Sequence, residues 1–176
     1  MEPYFWWTDE QKQIAKKVNQ FVEDNLEEAE TYLWKKKFPW PLIKKVAKEG
    51  YFGAGVPKQF GGLELGATGS CIVAEALGRL YAVGHVFTVS LLAGLEQMLK
   101  FATDEQKQNW FPKIASGENL GAVCITEPFA GSDAANVMTT AVKDGDDWII
   151  NGKKRYITGA GVSDRIASYD LLAIPE

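Results

Sequence analysis

The chain has 176 residues, of which 46% are hydrophobic and 24% charged, and its formal net charge is −4. This balance is typical of a globular protein, and it excludes a disordered or fibrous one. The lysines and arginines are spread along the chain, whereas binding to nucleic acid requires a concentrated basic surface. The longest apolar run, Val86 to Leu95, is interrupted by polar residues and is too short to cross a membrane. We therefore expect neither a nucleic-acid partner nor a membrane span.

The cysteine and histidine content bears on location and on metal binding. Cys71 and Cys124 are the only cysteines and make a poor disulfide framework, which favours a reducing, cytoplasmic location. The N-terminus lacks the basic and apolar segments of a secretory signal. His85 is the only histidine, which excludes a multi-histidine metal site. Its position in an apolar segment predicts a packing residue, so we expect no metal.

The beginning of the chain predicts two helices. Thr8 followed by Gln11 is a capping-box pattern, in which the two side chains satisfy free backbone donors at a helix start. Pro41 predicts the start of a second, shorter helix that ends near Gly50. Apolar residues recur at helical spacing after the first capping box: Ile14, Val18, Phe21, Val22 and Leu26.

A segment rich in glycine and proline separates these helices from the next ones. Residues 50–69, GYFGAGVPKQFGGLELGATG, predict a loop without regular structure. A helical pattern resumes at Cys71, and a largely apolar helix is predicted from Val86 to Phe101. Thr103 and Gln106 form a second capping box, whose helix ends near Gly117.

After Gly117 the pattern changes to that of strands. The segment LGAVCIT is β-branched and apolar, and two turn signals follow, Asp144-Gly145-Asp146 and Asn151-Gly152. Asn-Gly between alternating runs is the stronger signal for a hairpin turn. Ile166 to Ile174 predict one more strand. So few strands leave an open edge and an uncovered core, which is unfavourable unless something packs on them.

These patterns together predict an α+β protein. We expect an all-helical bundle domain over residues 1–119 and a partial β domain over residues 120–176.

Residues 123–161 carry three motifs in order. They are TEPFAGSD in a loop, INGKK in a predicted hairpin, and Tyr-Ile-Thr at a strand end. This set resembles the acyl-CoA dehydrogenase family, and the upstream VPKQFGGLELG and FATDEQKQNWFPKIASGE segments are similar to its helical domain. The resemblance implies the family's N-terminal helical domain, followed by the first strands of its antiparallel, β-barrel-like middle domain. It also implies FAD as the cofactor and a flavoprotein oxidoreductase of fatty-acid β-oxidation.

The resemblance assigns the flavin site to the loop and to the strand end. Ser132 corresponds to a residue that touches both the flavin phosphate and the pantetheine region of the substrate. The Tyr156 ring would lie against the flavin, and the Thr158 hydroxyl near its N5 atom. Each residue alone is compatible with an ordinary turn, strand or core role, but the spacing of the whole set favours the functional interpretation. The implied cofactor-binding residues are Val123, Cys124, Ile125, Thr126, Gly131, Ser132, Tyr156, Ile157 and Thr158.

The resemblance implies an acyl-CoA dehydrogenase whose catalytic residue lies elsewhere. In the family a glutamate of the C-terminal helical domain is the base, and this sequence does not include that domain. Glu127 corresponds to a structural residue of the family's loop. We therefore expect no catalytic residue in this chain and no activity of the chain alone.

Acyl-CoA is the implied substrate, electron-transfer flavoprotein the implied acceptor, and a homo-oligomer the implied assembly. Two alternatives remain open from the sequence. One is a non-catalytic remnant or interaction module of the family. The other is a related acyl-CoA oxidase or nitroalkane oxidase on the same scaffold.

Overall fold

The computed structural model describes residues 4–92, 95–162 and 165–168. Helices occupy the first part of this region and strands the second, as an α+β fold requires. The helices are α1 (Asp9–Glu23), α2 (Leu26–Trp34), α3 (Trp40–Lys48), α4 (Gly66–Gly78), α5 (Ala82–Leu92), α6 (Leu95–Phe101) and α7 (Asp104–Ala115). The strands are β1 (Gly121–Cys124), β2 (Thr140–Asp144), β3 (Asp147–Asn151) and β4 (Arg165–Ser168).

Both predicted capping boxes are confirmed. Thr8 Oγ1 accepts the Gln11 N–H at 3.2 Å, and Gln11 Oε1 accepts the Thr8 N–H at 3.0 Å. Thr103 and Gln106 repeat this arrangement at 3.2 and 2.9 Å at the start of α7. Each box satisfies backbone donors that the first helical turn leaves without a partner.

The glycine-rich segment after α3 is more ordered than its composition predicts. It contains short 3₁₀ helices at Tyr51–Gly53 and Lys58–Phe60, and α4 begins at Gly66, inside the predicted loop. The segment folds back on itself, since the Leu63 N–H donates to the Gly53 carbonyl at 2.8 Å. A Cβ on Gly62 would lie 1.9 Å from the Val56 carbonyl oxygen. Here glycine permits close backbone packing rather than disorder.

The main hydrophobic core lies between α1, α3, α4 and α5. Its fully buried side chains include Val18, Val22, Leu42, Leu77 and Phe87. Burying one side chain of this size contributes about 1.5–3 kcal/mol. The helical bundle is therefore stabilised by a core of its own.

His85 is exposed, so the prediction of a packing residue is wrong. Its neighbours Val83, Val86 and Phe87 are buried on one face of α5. At about 100° per residue, position 85 falls on the opposite face. The His85 Nδ1 atom instead lies 3.2 Å from the Tyr81 carbonyl oxygen.

Strand β1 connects the helical core to the strands. The Gly121 N–H donates to Ser90 Oγ of α5 at 3.2 Å. Along β1, Ala122 and Cys124 are buried and their neighbours are half-buried, which is the alternation of a strand packed on one face. β1 pairs with β4 in parallel, with Gly121 opposite Arg165. The sequence did not indicate this parallel pair.

Strands β2 and β3 form the antiparallel hairpin that the sequence predicts, but not at its stronger turn signal. The turn is Gly145-Asp146, because Asp144 pairs with Asp147 across it and Gly145 adopts a φ of +62°. The prediction of a hairpin turn at Asn151-Gly152 is wrong, since Asn151 ends β3. Gly152 has a packing role there, because a Cβ on it would lie 2.1 Å from Thr139 Oγ1.

Two further expectations were a last strand from Ile166 to Ile174 and the absence of a membrane-spanning helix. The predicted strand from Ile166 to Ile174 is described only as far as Ser168, within β4, and its remainder lies outside the described residues. Among the described helices, none combines the length and the apolar character that a membrane crossing requires.

Candidate functional site

The loop that follows β1 contacts the segment that follows β3. The Arg155 N–H donates to the Thr126 carbonyl at 2.8 Å. Lys154 Nζ donates to the Ile125 carbonyl at 3.2 Å. The two motifs, 29 residues apart in sequence, are thus joined by one main-chain and one side-chain hydrogen bond.

Glu127 is the centre of the loop and is only 5% exposed. Its Oε1 atom accepts the Thr139 N–H at 3.0 Å and the Thr139 hydroxyl at 2.5 Å. The same oxygen is 2.8 Å from Lys154 Nζ, and Oε2 accepts the Met138 N–H at 2.6 Å. Both carboxylate oxygens are therefore occupied by donors from the protein itself.

These donors determine the ionisation of Glu127. The hydrogen bond from Lys154, followed by those from Thr139 and Met138, lowers the pKa of Glu127 to about 2, against a smaller opposing effect of burial. The side chain is an anion at neutral pH. A carboxylate with so low a pKa and with both oxygens engaged is a poor proton acceptor for a ligand. This geometry agrees with the structural role that the resemblance implies.

The predicted residues of the first segment differ in accessibility. Cys124 is buried, so only its main chain can face a ligand, while Val123 and Thr126 are half-buried and Ile125 is exposed. Gly131 and Ser132 lie on the exposed part of the loop. A Cβ on Gly131 would meet nothing within 4 Å, so no contact inside the described chain requires glycine there.

The second segment presents an aromatic ring to the surface. Tyr156 is 77% exposed, which excludes the alternative of a core residue. Its φ of +60° is unusual for a residue with a side chain and carries a cost in conformational energy. Arg155 Cζ lies 4.5 Å from the centre of the Tyr156 ring. Ile157 is half-buried and Thr158 is exposed, so an aromatic ring and a hydroxyl stand close together in sequence at the surface.

The surface around these segments is apolar and open. Phe129 within the loop and Met138 after it are both largely exposed. On the hairpin, Val142 of β2 and Trp148, Ile149 and Ile150 of β3 are also exposed. Exposed apolar side chains in such numbers are characteristic of an interaction surface. An arrangement of this kind suits a planar, partly apolar ligand with polar edges.

Sequence reasoning did not identify Thr139, Lys154 or Arg155 as parts of this arrangement. Lys154 is the second lysine of the INGKK motif, so the motif pointed to this residue but did not reveal its contact with Glu127. Thr139 and Arg155 act mainly through geometry that no local pattern reveals.

Sequence comparison decides the family. The profile of the acyl-CoA dehydrogenase N-terminal domain matches residues 8–118, and that of the middle domain matches residues 122–169. The chain belongs to the acyl-CoA dehydrogenase family. The resemblance inferred from the motifs is therefore confirmed.

Individual members of the acyl-CoA dehydrogenase family agree with this assignment. An acyl-CoA dehydrogenase of Bacillus subtilis is 36% identical over 168 residues, which cover 94% of this chain and 44% of the relative. The structure of a glutaryl-coenzyme A dehydrogenase in complex with glutaryl-CoA matches with a TM-score of 0.86 and 28% identity, over 94% of this chain and 43% of that one. An acyl-CoA dehydrogenase of Bacillus anthracis complexed with FAD matches with a TM-score of 0.78 and 30% identity, over 92% of this chain and 28% of that one. The chain thus spans less than half the length of these relatives.

Proposed function

We propose that this chain supplies one wall of the FAD site of an acyl-CoA dehydrogenase, which oxidises the α,β bond of an acyl-CoA thioester. The observation that carries the proposal is the hydrogen bond from the Arg155 N–H to the Thr126 carbonyl, at 2.8 Å. It joins the two segments to which the family resemblance assigns the flavin. The FAD-bound structure of the Bacillus anthracis relative supports the choice of cofactor.

The chemistry of the accessible groups fits this cofactor. FAD, when bound, supplies the acceptor for the hydride that leaves the β carbon of the substrate. The main chain of residues 123–125 and the Thr126 hydroxyl would hold the polar edge of the ring. Tyr156 and Ile157 would cover its apolar surface, and the Thr158 hydroxyl would lie near its centre.

The exposed loop residues have a separate role in the proposal. Gly131 would allow the diphosphate to approach the main chain, because it has no Cβ in the way. Ser132 would contact both the flavin phosphate and the pantetheine region of the substrate. The domains in the proposal are residues 1–119, which support the site, and residues 120–176, which carry it.

The proposal assigns no catalytic base to this chain. Glu127 directly follows the predicted flavin contact Thr126, but its carboxylate is held by Lys154, Thr139 and Met138. The open surface around Tyr156 also leaves a bound ligand in contact with water, which weakens electrostatic assistance. The 176-residue chain alone is therefore expected to be inactive.

The remaining parts of the proposal rest on the family resemblance. They are an acyl-CoA substrate, electron-transfer flavoprotein as the acceptor and a homo-oligomeric assembly. A cytoplasmic location is proposed because both cysteines are present as thiols.

The test is the binding of FAD to the 176-residue chain, measured by equilibrium dialysis. We expect saturable but weak binding. Thr158→Val should weaken it about threefold to tenfold, the value of one hydrogen bond. Thr140→Val, the same change on an exposed position of β2, is the matched control and should leave the affinity unchanged. An absence of saturable binding, or equal effects of the two variants, would contradict the proposed site.

Catalysis is tested separately by following the reduction of an electron-accepting dye with acyl-CoA thioesters. We expect no turnover by the chain alone. Measurable turnover would require a base within this chain and would refute that part of the proposal.

A further inference from the structure

We infer that Glu127 and Lys154 are positioning residues, which hold the two flavin-contacting segments at a set distance and orientation. The inference rests on the proposed function, because it concerns the same FAD site. It assigns a role to residues that touch the site's main chain rather than the ligand.

The first step is the placement of Lys154. Its Nζ atom lies 2.8 Å from Glu127 Oε1 and 3.2 Å from the Ile125 carbonyl oxygen. The side chains of Lys154 and Glu127 are only 13% and 4% exposed. The ammonium group of the half-buried Lys154 therefore contacts the loop at two points, on either side of Thr126.

The second step is the attachment of Glu127 to the start of the hairpin. The N–H groups of Met138 and Thr139 and the Thr139 hydroxyl all donate to its carboxylate. Thr139 is in turn confined by Gly152, where a Cβ would lie 2.1 Å from Thr139 Oγ1. Three stretches of chain thus meet at one carboxylate.

The third step is the rigidity of the loop itself. The Glu127 N–H donates to the Ala130 carbonyl at 2.8 Å, and the Ala130 N–H donates back at 3.4 Å. Ala130 is buried, whereas Phe129 between them is exposed. These two bonds hold the loop in its own shape, and the contacts of Lys154 and of the Arg155 N–H hold it against residues 154–156.

The physical argument favours a positioning role over a purely stabilising one. The desolvation of a buried ion pair largely offsets its attraction, so such a pair contributes little net stability. The ion pair does favour a single geometry, because each of its donors and acceptors must be hydrogen-bonded. Groups that hold a cofactor must be placed to within about 0.5 Å. Lys154 contacts the carbonyl of Ile125, which is one of the predicted flavin-binding residues.

The experiment compares Lys154→Met and Glu127→Gln with Lys153→Met in the full chain. Lys153 is the exposed neighbour of Lys154, so its variant is the matched control. The readouts are FAD affinity by dialysis and the visible circular dichroism of bound FAD, which reports the orientation of the ring in its site. We expect each variant of the pair to lose about tenfold to a hundredfold in affinity and to alter the visible spectrum. The double variant should lose no more FAD affinity than the more strongly affected single variant, because the two residues act as a unit.

Amide hydrogen exchange of residues 125–130, without FAD, is the second measurement. Both variants of the pair should accelerate it, and Lys153→Met should not. Thr139→Val removes one donor only, and it serves as a milder variant if either substitution prevents folding of the helical domain. We expect it to change affinity and exchange in the same direction by a smaller amount.

The outcomes separate the inference from the function on which it rests. If the wild-type chain fails to bind FAD, the proposed function fails, and exchange of residues 125–130 alone decides whether the pair positions the loop. If Lys154→Met and Lys153→Met show the same FAD affinity, the same visible spectrum and the same amide exchange, the inference is overturned. If the wild-type chain does bind FAD, faster exchange without any change in FAD affinity or spectrum also overturns the inference, since the pair would then be structural only.

Discussion

Tyr51 and Glu127 are buried to a similar degree, yet their pKa values are shifted in opposite directions. Tyr51 is 3% exposed, and burial, assisted by the charge of Glu49, raises its pKa to about 12. Glu127 is as deeply buried, but its donors lower its pKa to about 2. The difference lies in the dominant cause, since hydrogen bonds to the charged form lower the pKa of Glu127, whereas desolvation raises that of Tyr51.

The lowered pKa of Glu127 predicts a dependence of stability on acid. In the unfolded chain the carboxyl takes up a proton near its ordinary value of 4.5, whereas in the folded chain it stays charged until about pH 2. Its contribution is therefore complete above the unfolded pKa and is lost as the pH falls from about 4.5 towards 2. The Glu127→Gln variant has no carboxyl group at this position, so it does not lose this stability in acid. The difference between the urea unfolding midpoints of wild type and variant should therefore narrow as the pH falls from about 4.5 towards 2.

A difference in midpoint that stayed constant from neutral pH into this acid range would refute the prediction. It would mean that the contacts of Glu127 do not distinguish its charged from its neutral form.

At the level of elements, the sequence predicted both capping boxes but only one of its two turn signals correctly. The two capping boxes depend on residues three positions apart, so local sequence contains all their partners. The hairpin had two candidate turns, and both satisfied the local rules. Gly145-Asp146 forms the turn, while Gly152 is needed where the chain passes against Thr139. The packing of Gly152 against Thr139 therefore decides which of the two sites forms the hairpin turn.

The capping box of α7 gives a prediction at this scale. Thr103→Ala removes the acceptor of the Gln106 N–H and should cost about 1 kcal/mol of unfolding free energy. Thr31→Ala is the same chemical change inside α2, on an exposed position whose hydroxyl donates to the Glu27 carbonyl. It should change stability by less than about 0.5 kcal/mol, because alanine is a good helix former. Urea unfolding of both variants measures the difference, and equal losses would rule out a capping effect.

For the molecule as a whole, burial divides the described chain into unequal parts. The main core joins α1, α3, α4 and α5, and a second cluster surrounds Phe111 of α7. No residue of β2 or β3 is buried, and the apolar side chains of the hairpin are exposed. The hairpin is held mainly by its own pairing and by the contacts of Glu127 with Met138 and Thr139.

This division predicts different local stabilities. Amides of β2 and β3 should exchange by local opening, faster than those of α4 and α5, whose exchange should require global unfolding. Native-state hydrogen exchange in increasing urea measures both. If the hairpin and α4 were equally protected, the two parts would unfold as one unit.

By itself, the sequence determined the α+β order, the capped helices and the family. These depend on local hydrogen bonds, on apolar periodicity and on motifs whose residues are close together in the chain. The nine flavin contacts that it assigns stay a prediction. Only the tertiary structure decided that β1 pairs in parallel with β4, that His85 faces outward and that Tyr156 is at the surface. It also brought Lys154 to Glu127, 27 residues away. The physical reason is that an ion pair between residues far apart in sequence forms only where the fold brings their two segments together. No short stretch of sequence contains that information.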